Sequence, residues 1–396
     1  MGSGKDLFLR PRLRLFLSVD IIGSTALKQA GQIPASATGA EESRYAVGYQ
    51  TWAAPIMAFY DFFDGVFKRH WDARLESMDL KDQFSDIQPE LWKAVGDELI
   101  FTLELKHPAL AIAAVAAICY AKAEYSEQKL QRHNPSLDLK ASGWIAGFPV
   151  INSEVLIRTR LELPTDGQSA LSSQTQLMAD YYGPNPSASV VRDFIGPSID
   201  TGFRVAGHSN SRKMAITVDL AYLLASRMAL GGEAHVEVQI YYDGRKDLKG
   251  VLGGVPYPLL WVDASKLKPE SSERKAKKRG PSLEFFEDEL LGVKPCGATQ
   301  LLDFCRMFIE TTRKPHLQLP YIVGDENWNT QPPEHKERLH QLQQDVEAAM
   351  AGDKQRGVAF EQVGQEKSPE TPPPAGSVQS VVSAMSRVLA KLDHEA

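Results

Sequence analysis

LRLFLSVDIIGST, residues 13–25, is the stretch that decides the fold, and ELWKAVGDELIFTLEL, residues 90–105, is its counterpart. Each contains an apolar run typical of a buried strand, and each reaches an aspartate where a strand ends: Asp20 in the first and Asp97 in the second. A small residue or a tight turn follows, so we expect both carboxylates at a sheet edge with exposed backbone oxygens beside them. Oxygen-rich positions of this kind are typical ligands for divalent metal ions.

The order of the predicted elements indicates an α+β domain. The pattern predicts a hairpin in 90–105 around Gly96, Asp97 and Glu98, and further strands at 13–20, 138–146, 188–195, 214–218, 233–242 and 256–263. Helices are predicted at 43–68, with a break at Pro55, from Pro108 to Gln131, at 197–209 and at 219–229. The βααββαβ order, with later αβ additions, is that of a ferredoxin-like sandwich.

Three motifs in this order resemble those of the class III nucleotidyl cyclases, which convert a nucleoside triphosphate into a 3′,5′-cyclic monophosphate and pyrophosphate. The first motif is the segment VDIIGST at 19–25, and the second is KAVGD at 93–97. The third has Asp193, Gly196, Asp200 and Arg204 at the family's spacing, within RDFIGPSIDTGFR. The resemblance covers residues 10–265 and implies a class III cyclase catalytic domain there.

The resemblance assigns the metal and phosphate chemistry to particular residues. Asp20 and Asp97, with the carbonyl of Ile21, would hold two Mn²⁺ or Mg²⁺ ions, which suit hard oxygen ligands. Arg204 would stabilise the charge that develops on the α-phosphate, and Lys249 would contact the phosphates. Where the family usually has an asparagine that orients the ribose, this chain has Asp200, which accepts hydrogen bonds when ionised but donates none.

Lys93 and Asp193 occupy the positions that read the base. In the resemblance, a lysine and an aspartate select adenine, whereas guanine-specific relatives carry glutamate and cysteine. The same pair can also satisfy cytosine or uracil, so hydrogen bonding leaves ATP, CTP and UTP open. The layout is similar to the pyrimidine cyclases of the Pycsar anti-phage systems, and Tyr49 or Trp52 could narrow the pocket against a purine. We therefore expect a pyrimidine cyclase, with UTP favoured over CTP and adenylate cyclase as the alternative.

Other classes of protein explain the sequence less well. A diguanylate cyclase would share the Gly96–Asp97–Glu98 turn, but the first glycine of its signature is Val95 here. A nucleotide-binding module without activity would have lost a metal aspartate or the arginine, and this chain keeps both. An interaction scaffold would leave the spacing of three motifs to coincidence. The resemblance also implies a homodimer with each site at the subunit interface, and a separate effector activated by the product.

Composition agrees with a cytoplasmic enzyme of 396 residues. The net charge of −6 gives no general attraction to nucleic acid or anionic lipid, and the apolar run at 109–119 is too short to span a bilayer. Three cysteines, Cys119, Cys296 and Cys305, lack disulfide or zinc spacing and are expected as buried thiols. Beyond the catalytic domain we predict an extension at 266–364, a flexible linker at 365–377 and an amphipathic terminal helix at 378–396.

Overall fold

The computed structural model of the protein describes residues 9–29, 52–158, 170–182, 190–230, 238–269, 283–312, 314, 316–332, 334–348 and 351. The chain divides into two units, Met1–Val346 and Glu347–Ala396. Only residues 347, 348 and 351 of the second unit are described. The predicted linker at 365–377 and terminal helix at 378–396 therefore lie outside the described residues, as does Tyr49.

The first unit alternates strands and helices in the order expected of an α+β domain. The strands are β1 (Arg12–Ile22), β2 (Glu90–Val95), β3 (Glu98–Glu104), β4 (Asp138–Phe148), β5 (Ser153–Arg158), β6 (Val190–Ile195), β7 (Lys213–Ile216), β8 (Ile240–Lys246) and β9 (Tyr257–Asp263). The main helices are α1 (Ser24–Gln29), α2 (Ala53–Ser77), α3 (Lys81–Phe84), α4 (Ala109–Tyr125), α5 (Ala170–Tyr181), α6 (Pro197–Ala206), α7 (Val218–Leu230), α8 (Leu283–Leu291) and α9 (Ala298–Thr312). A short helix at Gln131–His133 also follows α4, and residues 334–346 are helical.

Seven strands form one mixed sheet in the order β2-β3-β1-β4-β7-β9-β8. All neighbouring pairs are antiparallel except β4 and β7. Strands β5 and β6 form a separate two-stranded ribbon. This arrangement confirms the predicted α+β class.

One face of the sheet carries the main hydrophobic core. Alternate residues of β1, which are Leu13, Leu15, Leu17, Val19 and Ile21, are buried on this side together with apolar residues of α2, α4 and α7. The alanine-rich α4 is buried on nearly every side. The helical stretch Ala109–His133, of which α4 is the first part, is long and apolar enough to cross a membrane by composition, but 83% of its apolar window is buried inside the protein.

The opposite face of the sheet is aromatic at its centre. Phe16 of β1 stacks on Trp144 of β4 with ring centroids 5.7 Å apart, and Trp92 and Phe194 meet Phe16 edge to face. Helix α6 lies against this cluster at Gly202, where a Cβ atom would come within 2.3 Å of the Trp144 ring. Any larger residue at this position would push the helix away from the sheet.

Most of the predicted elements are confirmed, with the following corrections. Pro55 does not break a helix: it is the third residue of α2, in the first turn, where no intrahelical N–H is required, and the helix continues to Ser77. The strand predicted at 188–195 exists as β6, but it pairs with β5 outside the main sheet. Neither β5 nor α5 was predicted, and the strand predicted at 233–242 begins at Ile240 among the described residues.

Candidate active site

Asp20 lies in a row of three charged residues that crosses the sheet. On β1 it is opposite Glu98 of β3 on one side and Lys140 of β4 on the other. The Lys140 ammonium is 2.9 Å from Asp20 Oδ2. Burial raises the pKa of Asp20, and the attraction of Lys140 opposes that rise. Burial also raises the pKa of Glu98, which the neighbouring Asp20 and Asp97 carboxylates raise further.

Asp97 occupies the tight turn between β2 and β3, where Gly96 adopts φ of +65°. Its carboxylate accepts a hydrogen bond from the hydroxyl of Ser24, at the start of α1, and lies 3.2 Å from the Lys28 ammonium. Its carbonyl accepts a hydrogen bond of 3.3 Å from the backbone N–H of Ile21. The end of β1 and the β2–β3 turn are therefore joined directly, which brings the two predicted aspartates to one end of the sheet.

These residues fit a divalent cation by the chemistry of their oxygen atoms. The two carboxylates lie at the same end of the sheet, and each has a lysine, Lys140 for Asp20 and Lys28 for Asp97, as its counter-ion. Within the described part of the chain, no group of three or more His, Cys, Asp or Glu residues is placed to hold a metal. A metal here would accordingly depend on two carboxylates, the Ile21 carbonyl and oxygens of the substrate or water.

A cavity of about 210 Å³ opens beside this charged row. Its floor is the sheet face, with Ser18, Asp20, Glu98 and Lys140, and its wall is the end of α6 with Phe203. The side chains of Ser18 and Ser142 hydrogen-bond across β1 and β4 at 3.2 Å, just below Asp20 in the sheet. On this face of β1, the polar residue Ser18 is therefore preceded, two residues earlier in the strand, by Phe16 of the aromatic cluster.

Lys93 and Asp193, predicted to read the base, are in direct contact. The Lys93 ammonium is 2.9 Å from Asp193 Oδ1, and the indole N–H of Trp92 donates to the same oxygen at 2.9 Å. Lys93 lies on β2 of the main sheet, whereas Asp193 lies on β6 of the separate ribbon. The structure thus places a donor and an acceptor side by side on two different elements, although they are 100 residues apart in sequence.

The three remaining predicted residues are exposed. Asp200 and Arg204 are one turn apart on α6, and neither side chain forms a hydrogen bond or ion pair with another described side chain. Lys249 lies between β8 and β9, and the strand registers place it at the end of the sheet where β1 begins, opposite Asp20. Within one chain, the structure does not bring Lys249 to the two aspartates.

Sequence reasoning missed several polar neighbours of the site. Lys28 follows Ser24 by one helical turn, a spacing that was visible in the sequence, whereas the pairing of Lys140 with Asp20 depends on the strand register. Trp52, considered as a wall of the base pocket, packs against the main hydrophobic core. The hydrogen bond from the Trp92 indole to Asp193 could not be predicted from the sequence, in which Trp92 is notable only for its position next to Lys93.

No protein-family model and no curated protein matches the chain. Among solved structures, the chain is similar to an adenylyl cyclase from P. aeruginosa, at 12% identity and a TM-score of 0.36 over 64% of this chain and 94% of that chain. It is also similar to the guanylate cyclase domain of a protein from Catenaria anguillulae, crystallised with GTP, at 10% identity and a TM-score of 0.33 over 64% and 97%. An adenylate/guanylate cyclase/hydrolase from Silicibacter pomeroyi matches at 10% identity and a TM-score of 0.31 over 64% and 98%.

Proposed function

We propose that this protein is a metal-dependent nucleotidyl cyclase that acts on a pyrimidine nucleoside triphosphate, with UTP favoured and cyclic UMP and pyrophosphate as products. The observation that carries the proposal is a pair of constellations: Asp20 with Asp97 near the end of β1, and Lys93 of β2 with Asp193 of β6. The first suits divalent cations, through which a triphosphate can bind, and the second suits the edge of a base. The motif resemblance indicates nucleotide cyclisation, a reaction that needs both a metal site and a base-binding site.

In the proposed reaction, the ribose 3′-oxygen attacks the α-phosphorus, the 3′ proton leaves, and the bond to the pyrophosphate oxygen breaks. Mg²⁺ or Mn²⁺ bound by Asp20, Asp97 and the Ile21 carbonyl would supply Lewis acidity for both oxygens. Arg204 carries a guanidinium that can stabilise charge on the α-phosphate. Lys249 would contact the phosphates, and Asp200 the ribose, by the resemblance alone.

The base is held by complementary hydrogen bonds. Lys93 donates to a ring acceptor, and Asp193 accepts from a neighbouring donor. Uracil offers O4 and N3–H, cytosine offers N3 and its amine, and adenine offers N1 and its amine. Leaving a polar group of this site unsatisfied costs about 1 to 3 kcal/mol, which disfavours a base without the matching edge. Adenine has a matching edge, so selectivity for a pyrimidine over adenine must come from steric exclusion of the purine ring. Tyr49, proposed for that exclusion, lies outside the described residues.

We propose a homodimer in which the two constellations of each site come from different chains. The exposed face of the β5–β6 ribbon supports this arrangement. Val191 and Ile195 flank Asp193 along β6, and Ile157 lies opposite Val191 on β5; all three side chains are about half exposed. Apolar side chains grouped around a polar recognition residue are typical of a surface that a partner covers. The partner we propose is a second copy of the chain.

Product analysis tests the activity. The protein is incubated with each of the four NTPs and Mn²⁺ at matched concentrations, and products are identified by mass spectrometry. We expect a cyclic pyrimidine nucleotide, mainly cyclic UMP, and loss of product in Asp20→Ala and Asp97→Ala proteins with unchanged melting curves. Cyclic AMP as the faster product would replace the pyrimidine assignment with adenylate cyclase. Retained turnover in either aspartate variant would remove the metal assignment.

Subunit complementation tests the shared site. Asp97→Ala and Arg204→Ala proteins should each be inactive, and mixing them should restore one intact site per heterodimer. Exchange of subunits is followed by mass spectrometry of differently tagged chains. If subunits exchange and no activity returns, the shared-site arrangement is wrong.

By the resemblance to Pycsar cyclases, we also propose that the product is a second messenger of anti-phage defence that activates a separate effector. Protection of a bacterial culture from phage should then require Asp97 in the cyclase as well as the effector. Protection that survives Asp97→Ala would contradict a messenger role.

A further inference from the structure

A β-bulge in β2 places Trp92 and Lys93 on the same side of the sheet. Leu91 is opposite Phe101, and Lys93 is opposite the next residue of β3, Ile100. Trp92 is the extra residue between them. In a regular strand, neighbouring side chains point to opposite faces. A bulge redirects one side chain, and bulges of this kind recur next to active sites.

The bulge lets both side chains reach the same oxygen of Asp193. Oδ1 accepts from the Trp92 indole at 2.9 Å, from the Lys93 ammonium at 2.9 Å and from the backbone N–H of Phe194 at 3.0 Å. Among the described residues, no side chain donates a hydrogen bond to Oδ2. One oxygen is therefore occupied by the protein, and the other is left as an acceptor.

The surroundings of Trp92 hold its indole in one orientation. Its ring meets Phe16 and Phe194 edge to face, with centroid distances of 5.2 and 5.3 Å, and only 9% of the residue is exposed. The Lys93 ammonium lies 4.0 Å from the centroid of the same ring, where a cation is attracted to the π-system. Trp92 thus contacts both base-reading residues, through its N–H to one and its ring face to the other.

We propose that Trp92 is a positioning residue for base selectivity, which rests on the proposed nucleotide-binding function. Its N–H fixes the Asp193 carboxylate so that Oδ2 faces the base, and its ring fixes the Lys93 ammonium beside it. The site then presents one donor and one acceptor at a set spacing. The ligand class it selects is a base with an acceptor next to a donor, such as uracil at O4 and N3–H. Selectivity depends on this spacing as well as on the two charged groups.

The variant that tests this role is Trp92→Phe, which keeps an aromatic ring and removes the N–H. Trp144→Phe is a matched control, because Trp144 belongs to the same aromatic cluster and its buried Nε1 has no hydrogen-bond partner within the described part of the chain. Binding of the four 3′-deoxynucleoside triphosphates is measured by calorimetry in the presence of Mg²⁺. These probes lack the attacking hydroxyl and cannot be cyclised.

We expect the dissociation constants of the nucleotides that the wild-type protein binds tightly through Lys93 and Asp193 to rise about tenfold in Trp92→Phe, with those of the weakly bound nucleotides changed by less than about threefold. In turnover assays, KM should rise by a similar factor while kcat stays within about twofold, because the reacting atoms are not touched. Trp144→Phe should keep the selectivity of the wild-type protein even if its melting temperature falls.

Unchanged selectivity in Trp92→Phe would overturn the inference, as would an equal loss in Trp144→Phe, which would indicate a role in packing only. Selective binding without cyclisation by the wild-type protein would overturn the proposed reaction and leave the role of Trp92 intact. No binding of any nucleotide to the wild-type protein would overturn both.

Discussion

The buried ion pair between Arg12 and Glu154 attaches the β5–β6 ribbon to the sheet, and its loss should be costly. Arg12 Nη2 is 2.9 Å from Glu154 Oε2, and the two side chains are only 5% and 2% exposed. The Tyr182 hydroxyl donates to the other carboxylate oxygen at 2.6 Å. Arg192 of β6 approaches the same carboxylate at 3.9 Å. The Glu154 carboxylate therefore connects β1, the ribbon and the residue that follows α5.

Glu154→Ala removes that carboxylate and leaves positive charge buried at the base of the ribbon. Breaking a buried ion pair from one side costs about 3 to 5 kcal/mol, because the remaining charge stays desolvated. We expect a loss of this size in the free energy of unfolding. Asp193 is opposite Val155 on the ribbon, one residue from Glu154, so the KM for nucleotide should rise as well.

A surface ion pair provides the control. Arg10 and Glu104 are 2.7 Å apart, but their side chains are 46% and 24% exposed. Exposed pairs contribute about 0 to 1 kcal/mol, so Glu104→Ala should be nearly neutral. Urea unfolding followed by tryptophan fluorescence gives both values. If Glu154→Ala costs no more than Glu104→Ala, the buried network does not hold the ribbon and this reasoning fails.

Three further outcomes follow from the geometry. Gly202→Ala should lower stability by about 1 to 3 kcal/mol, because its Cβ would overlap the Trp144 ring; an unchanged melting temperature would show that α6 is free to shift. Burial raises the pKa of Asp20, so ionisation of this carboxyl opposes folding and its cost appears as pH rises through the raised value. Metal-free Asp20→Asn should therefore gain stability relative to wild type as the pH rises above about 4, the usual pKa of an aspartate, and a constant difference in melting temperature would contradict this. Burial raises the pKa of Cys119 and Cys305 to about 12, so both thiols should react with Ellman's reagent only after unfolding; rapid labelling of either in the native protein would contradict their burial.

Much of the fold could be predicted because the signals are local. Three signals each act within a few residues: the alternation of apolar residues in β1, the turn at Gly96, and Pro108 at the start of α4. The same holds for Asp97, which lies in the turn between two strands, and for Asp20, which lies two residues before the end of β1. Lys93 and Asp193 lie in contact in the structure, and their assignment as base readers rests on the motif resemblance and stays a prediction.

The features that could not be predicted from the sequence depend on contacts between segments far apart in the chain. The pairing of Lys140 with Asp20 is fixed by the register of β4 against β1, which no local pattern specifies. The bulge at Trp92 adds one residue to a strand whose sequence reads as regular. The ribbon was missed because β5 is short and its anchor, Glu154, has partners far away in sequence.

Strand β1 couples the stability of the protein to the geometry of its site. Residues of one parity, such as Leu17 and Val19, fill the core, and residues of the other parity, Phe16, Ser18 and Asp20, form the aromatic and polar face. A shift of one residue in register would bury Asp20 and expose Val19, so core packing holds the carboxylate in place. The same strand bears Arg12, which anchors the ribbon that carries Asp193. Asp20 and the ribbon that carries Asp193 are therefore both positioned from a single strand, and the packing that stabilises this strand also fixes where these two carboxylates lie on the chain.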